Sequence, residues 1–166
     1  MPGGGSAWAG ERIPVAYRQV AAEFGIPPDV FYAVALTESG KASASGSTQR
    51  PWPWTLNIAG EGKYFESRIQ AWRAFDQSLK SGESRIDVGL MQISWRYHRA
   101  LLRSSWLALD PYRNLKFAAG ILVACYEARG DWWSSVGCYH APGDDERARR
   151  YRDRVAAHWR ALGTSE

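Results

Sequence analysis

The chain has 166 residues, 21 Lys+Arg against 17 Asp+Glu for a net charge of +4, and 45% apolar residues. Its length suits one compact domain with a real core, and its composition excludes a disordered tail or a fibrous repeat. No apolar run approaches the ~20 residues of a membrane helix, and two cysteines exclude a four-thiolate zinc site or a dense disulfide scaffold.

The opening, 1–10, is Gly-rich and lacks the basic and apolar regions of a signal peptide. Either the chain is cytoplasmic or an export signal was removed, and the Gly-rich opening, read as a flexible cloning remnant, favours the second. From 11 to 24, Ile13, Ala16, Tyr17, Val20, Ala21 and Phe24 recur at helical spacing, and Gly25 supplies a stop. A second helix opens at Pro27-Pro28-Asp29, proline being tolerated in a first turn, and ends at Ser39-Gly40. Residues 41–53 read as a Ser/Gly/Pro loop. A strand over 54–59, a turn at 60–62 and a returning strand over 63–65 make one small hairpin. Ser67-x-x-Gln70 is a capping-box pattern and opens a helix with Ile69, Trp72, Phe75 and Leu79 inward, closed by Gly82.

Residues 86–94 are a short loop or strand, followed by a helix ending near Leu109. The strongest helix spans 111–129 with Leu115, Ala119, Leu122 and Tyr126 inward, and Gly130 ends it. Asp131 caps a shorter helix through Tyr139. Asp144 begins the last one, whose inward face is Ala148, Tyr151, Val155 and Trp159. The expected fold is mostly α with one small β-hairpin element.

Glu38 is the most informative residue. It follows Val30, Phe31 and Val34 by eight, seven and four positions, which puts it on the apolar stripe of its helix. A carboxylate on such a face is costly unless paired or protonated. The negative end of the helix dipole adds a second push toward the neutral acid. Both suit a general acid working near neutral pH. The competing reading is a surface glutamate at a frayed helix end.

Several motifs bear on that choice. The segment Ala33-Val34-Ala35-Leu36-Thr37-Glu38-Ser39-Gly40 ends a helix in glutamate-serine. Downstream stand Val88-Gly89-Leu90-Met91-Gln92-Ile93, then Cys138-Tyr139-His140-Ala141, then Arg150-Tyr151-x-x-Arg154-Val155. In order and rough spacing, from Pro14 to about Val155, these resemble the lysozyme-like lytic transglycosylases with their glutamate-serine, Gly-Leu-Met-Gln-Ile, Ala-Tyr-Asn and Tyr-Val-x-x-Val motifs. The resemblance implies a lysozyme-like α+β catalytic domain over 11–162. It also implies cleavage of the MurNAc-β-1,4-GlcNAc bond of peptidoglycan with formation of 1,6-anhydro-MurNAc ends, by a single acid/base, Glu38; the rival readings are a hydrolytic muramidase of lysozyme or phage endolysin type and a non-catalytic peptidoglycan-binding module. A single carboxyl accounts for the lack of a second one in the Glu38 motif; Asp87, beside Gly89, is read as structural.

On this mapping Ser39 orients Glu38, or merely caps the helix. Gln92 holds the sugar or its acetamido group, and Met91 packs beneath it or fills the core. Tyr139 points its hydroxyl toward Glu38 and the acetamido group, and Tyr151 contacts substrate or only packs. His140 replaces the family's asparagine. Glu38 lies 51 positions before Gly89, a longer gap than in compact relatives. The extra length carries Trp52-Pro53-Trp54, which resembles the branch that accompanies conjugative elements, type IV secretion systems and pilus assembly. Trp52 and Trp54 either stack on sugar rings or seal the hairpin onto the core.

Cys125 and Cys138 flank Gly130 on two short-linked helices and could fall level as a disulfide, or remain two reduced buried thiols. The resemblance, which points to the periplasm, favours the bridge. No His/Asp/Cys spacing suggests a metal, His98 and His158 read as ordinary packing histidines, and no cofactor is expected. The run Arg147–Arg154 is balanced by Asp144, Asp145, Glu146 and Asp153, so a solvated helix face is favoured over nucleic-acid binding. The expected partners are peptidoglycan glycan strands and secretion, conjugation or pilus machinery, with the chain itself a monomer.

Overall fold

A computed structural model describes residues 12–46 and 48–163. The expectation for 1–10 therefore lies outside the described residues, as does the first residue of the helix expected from 11. The fold is mostly α-helical with a small β portion. In chain order the elements are α1 (Val15–Phe24), α2 (Pro28–Ser39), β1 (Gly40–Ala42), β2 (Gln49–Pro51), β3 (Thr55–Ile58) and β4 (Glu61–Tyr64). They continue as α3 (Arg68–Lys80), β5 (Ile86–Val88), β6 (Ile93–Ser94), α4 (Trp95–Leu102), α5 (Ser105–Ala108), α6 (Pro111–Arg129), α7 (Trp132–His140) and α8 (Asp145–Ala161). Two compact units divide the chain: the described parts of 1–37 and 119–166, and the segment 38–118.

In the first unit, Gly25 closes α1 in the left-handed region, and its N–H returns to the last turn. Tyr17, Val20 and Ala21 are buried, and the Tyr17 ring packs edge-on to Tyr32 at 4.9 Å. Burial, reinforced by the neighbouring Tyr32, pushes the Tyr17 phenol well above its ordinary pKa. Helices α7 and α8 open on aspartate caps: Asp131 accepts from the Ser134 N–H and Asp144 from the Arg147 N–H. They meet at Gly137, where an added Cβ would stand 3.1 Å from the Ala148 Cβ and would push the helices apart by a few tenths of an ångström. Trp159 is half-buried, its indole N–H donating to Asp29 at 2.7 Å. Tyr126 is not the inward residue expected. It is exposed and stacks on Trp132 at 4.2 Å, the pair lying along the surface.

The second unit holds the β portion. One sheet has the order β4-β3-β5-β6, all antiparallel, and β1 pairs with β2 in a separate two-stranded ladder. The expected hairpin is β3–β4. Its Ala59-Gly60 turn takes positive φ at both positions, 54° and 94°, as a two-residue hairpin turn requires. The loop expected over 41–53 instead contains β1 and β2. The helix expected to end near Leu109 is broken at Arg103, whose φ is 67°, into α4 and α5. The capping box holds: Ser67 accepts from the Gln70 N–H, and Gln70 in turn accepts from the Glu66 N–H. Phe75 and Ala71 are the buried face of α3, whereas Ile69 in its first turn is exposed rather than inward. Trp72 is half-buried, its N–H donating to the Ser105 hydroxyl.

Candidate active site

The sequence-derived residues Glu38, Ser39, Trp52, Trp54, Met91 and Gln92 fall in the second unit, and Tyr139 and Tyr151 in the first. Glu38 is half-buried in the last turn of α2. Ser39, which ends that helix, is fully buried, and both of its polar ends are committed. Its hydroxyl donates to the Leu90 carbonyl at 2.7 Å, and its own carbonyl accepts from the Trp52 N–H at 2.9 Å. The residue after Glu38 thus ties the helix end to the Gly-Leu-Met-Gln-Ile segment and to the Trp-Pro-Trp segment.

The Gly-Leu-Met-Gln turn is built on two unusual backbone positions. Gly89 has φ 82°, and an added Cβ would stand 2.5 Å from the Asn114 side-chain nitrogen, so only glycine fits. Gln92 has φ 47°, a left-handed conformation that costs a non-glycine residue about 1 kcal/mol or more. Its own side chain compensates, since Nε2 donates to the Gly89 carbonyl at 2.9 Å and to the Thr55 carbonyl at 3.1 Å. Both partners are carbonyl oxygens, which only the NH₂ end can serve, so the amide orientation follows from the contacts. Both contacts use Nε2, and the side-chain Oε1 takes no part in them. Met91, the preceding residue, is fully buried.

Asn114 was not among the residues singled out in the sequence. It is 1% exposed and uses every polar function inward. Its Oδ1 accepts from the Met91 N–H at 2.9 Å, while Nδ2 donates to Val88 and Ala108 carbonyls at 2.9 and 3.2 Å. One amide therefore holds both ends of the motif turn. The available signal is its place on α6, one and two helical repeats before Ala118 and Leu122, which are buried too. A polar residue on a buried stripe must be satisfied somewhere, and here it satisfies a loop.

Trp52 is half-buried and fixed by its N–H to the Phe65 carbonyl at 2.7 Å. The Lys41 ammonium lies over its ring, 4.3 Å from the centroid. Trp54 is half-buried, its carbonyl accepting from the Phe65 N–H. Asp87 lies in β5 opposite Asn57 and Ser94.

In the first unit, Tyr139 is half-buried near the end of α7, and Tyr151 is 1% exposed on α8. His140 stacks flat on Tyr151, centroids 4.3 Å apart and planes 5° from parallel. Burial, with Arg147 and Arg154 adding positive potential, lowers the His140 pKa to about 4, so this imidazole is neutral near pH 7. Cys125 and Cys138 form a disulfide joining α6 to α7, with Cα atoms 5.9 Å apart. Among the described residues no cluster of His, Cys, Asp and Glu could hold a metal ion, and no helix is long and apolar enough to cross a membrane.

A family model described as the Transglycosylase SLT domain matches residues 16–158, most of the chain. The chain belongs to this family. No curated protein and no solved structure matches it. Membership fixes the general reaction of this SLT domain as lytic transglycosylation of peptidoglycan, and the match covers both compact units, from α1 into the last turns of α8.

Proposed function

We propose that this SLT domain cleaves the MurNAc-β-1,4-GlcNAc bond with closure of a 1,6-anhydro ring on the muramyl sugar, using Glu38 as the only acid/base. The Glu38 carboxyl gives its proton to the departing glycosidic oxygen as the C1–O bond breaks. The substrate's N-acetyl group steadies the positive charge at C1. The resulting carboxylate then takes the proton of the muramyl C6 hydroxyl while O6 bonds to C1. Glu38 ends as it began, and no water is consumed.

The observation that carries this reading is the coupling of Glu38 to the Gly-Leu-Met-Gln turn through Ser39 within a chain of this family. A proton donor must be held still, and the Ser39–Leu90 bond anchors the backbone beside it. Gln92, which follows buried Met91, serves the acetamido or sugar hydroxyls through its carbonyl oxygen. Trp52 and Trp54, in the same compact unit as Glu38 and Gln92, add further substrate contacts. The protein acts in the periplasm, opening the wall locally for a secretion, conjugation or pilus apparatus, as a monomer. The Trp-Pro-Trp segment supports that assignment.

The test is Glu38→Gln, assayed on isolated peptidoglycan by mass spectrometry of released muropeptides. Turnover falls by about 10²–10⁴-fold, the usual weight of a positioned acid/base, with the thermal unfolding midpoint little changed. Full activity in this variant would remove Glu38 from the mechanism.

A further inference from the structure

The short β1–β2 ladder, which begins two residues after Glu38, has no part in the scheme above. Lys41 and Arg50 stand directly opposite each other in it. Opposed residues of an antiparallel pair project to the same face, where like charges destabilise the pairing. Neither strand carries an acidic residue, and among the described residues neither cation joins an ion pair. Lys41 is also held in place. Its ammonium lies 4.3 Å from the Trp52 centroid and 5.9 Å from that of Tyr64. Both rings are themselves pinned, Trp52 to the Phe65 carbonyl and the Tyr64 hydroxyl to the Gly40 carbonyl at 2.7 Å. A cation fixed between two anchored rings has already lost the side-chain freedom that binding an anion would otherwise cost.

From this juxtaposition we infer that Lys41 and Arg50 form a carboxylate subsite that reads the peptide stems of the substrate. This inference rests on the reading of the chain as a peptidoglycan enzyme. Lys41 is three residues from Glu38, a separation of at most about 11 Å between Cα atoms. A group bound there belongs to the muramyl unit being cut or to its neighbour. The sugar backbone carries no carboxylate where the lactyl group is amide-linked, so the anions within reach are those of the stems. Two cations on one face suit a carboxylate better than a hydroxyl, through charge-assisted hydrogen bonds. Trp52 then has a second task, holding Lys41.

Co-sedimentation with sacculi tests this, in a Glu38→Gln background so that the polymer stays intact. One batch of sacculi keeps its stem carboxylates and the other has them converted to amides, which removes the charge at nearly constant shape. The chain with Lys41 and Arg50 intact binds native sacculi about tenfold more tightly than amidated ones, the scale of one or two charge-assisted contacts. Lys41→Met with Arg50→Gln lowers native binding to the amidated level and leaves amidated binding unchanged. Lys41→Arg with Arg50→Lys keeps the preference. Equal binding to the two batches, an equal loss on both in the neutral variant, or loss of preference in the charge-preserving one overturns the subsite. A chain with Glu38 intact that shows the preference yet releases no muropeptide overturns the enzymatic reading and leaves the subsite standing.

Discussion

Asn114 shows how one buried amide can hold a strained turn. Removing its side chain leaves the Met91 N–H and the Val88 and Ala108 carbonyls without their partner in a site that water does not reach. Asn114→Ala should therefore cost about 2–4 kcal/mol in denaturant unfolding and lower activity more than that destabilisation explains, because Gln92 loses its support. A variant with unchanged stability and full turnover would deny the amide its positioning role. At this scale Glu38 and Gln92 stand out in the sequence because residue chemistry and motif coincide there, and they remain proposals. A residue that acts on other residues leaves a weaker mark. Asn114 carried only the faint mark of polarity on an apolar stripe, and the two bonds of Ser39 could not be told from a plain helix cap before Leu90 and Trp52 were placed beside it.

Helices were readable because their signals are redundant. Helical periodicity is joined by a serine or aspartate N-cap in α3, α7 and α8 and by a closing glycine after α1 and α6. The strands were less so: β3 and β4 read as a hairpin, 86–94 as loop or strand, and β1 and β2 as loop. Strands β1, β2, β5 and β6 have two or three residues each, too few for an alternation pattern to emerge. Their pairing is instead settled by long-range contacts such as the Gly89 N–H to the Thr55 carbonyl. Tyr126 and Ile69 were misplaced because a helical projection ignores what covers each turn, and both lie on turns left exposed. The disulfide belongs to the element scale too, since it staples α6 to α7 across the Gly130-Asp131 turn. Replacing Cys125 and Cys138 by serine should lower stability by about 3 kcal/mol, and reductant should do the same to the parent. Identical unfolding curves with and without reductant would contradict this.

For the whole molecule, the histidines set a dependence on pH. His140 has a folded pKa of about 4, lowered by burial and then by Arg147 and Arg154, and burial lowers those of His98 and His158 as well. Between about pH 6.5 and 4 the unfolded chain therefore binds more protons than the folded one, and stability falls as pH falls through that window. His140 is partly open to solvent, which screens the effect, so its share is about 1–2 kcal/mol. Denaturant unfolding at pH 7 and pH 4.5 should show a smaller loss for His140→Asn than for the parent; equal losses would mean that His140 is not neutral in the fold. Such a neutral imidazole keeps its stacking on Tyr151 throughout the neutral range.

The tryptophans divide by role. Trp72, Trp133 and Trp159 serve ring-to-ring packing, whereas Trp52 sits two residues from Trp54 in the segment tied to Ser39 and carries Lys41. Whether water enters the product tests the proposed single-carboxyl mechanism most directly. Peptidoglycan digested by the protein in ¹⁸O-labelled water should yield muramyl ends that are lighter than hydrolysed ends by one water and free of label, because O6 has closed the ring. Reducing muramic ends carrying one ¹⁸O atom would contradict it and make the enzyme a hydrolase.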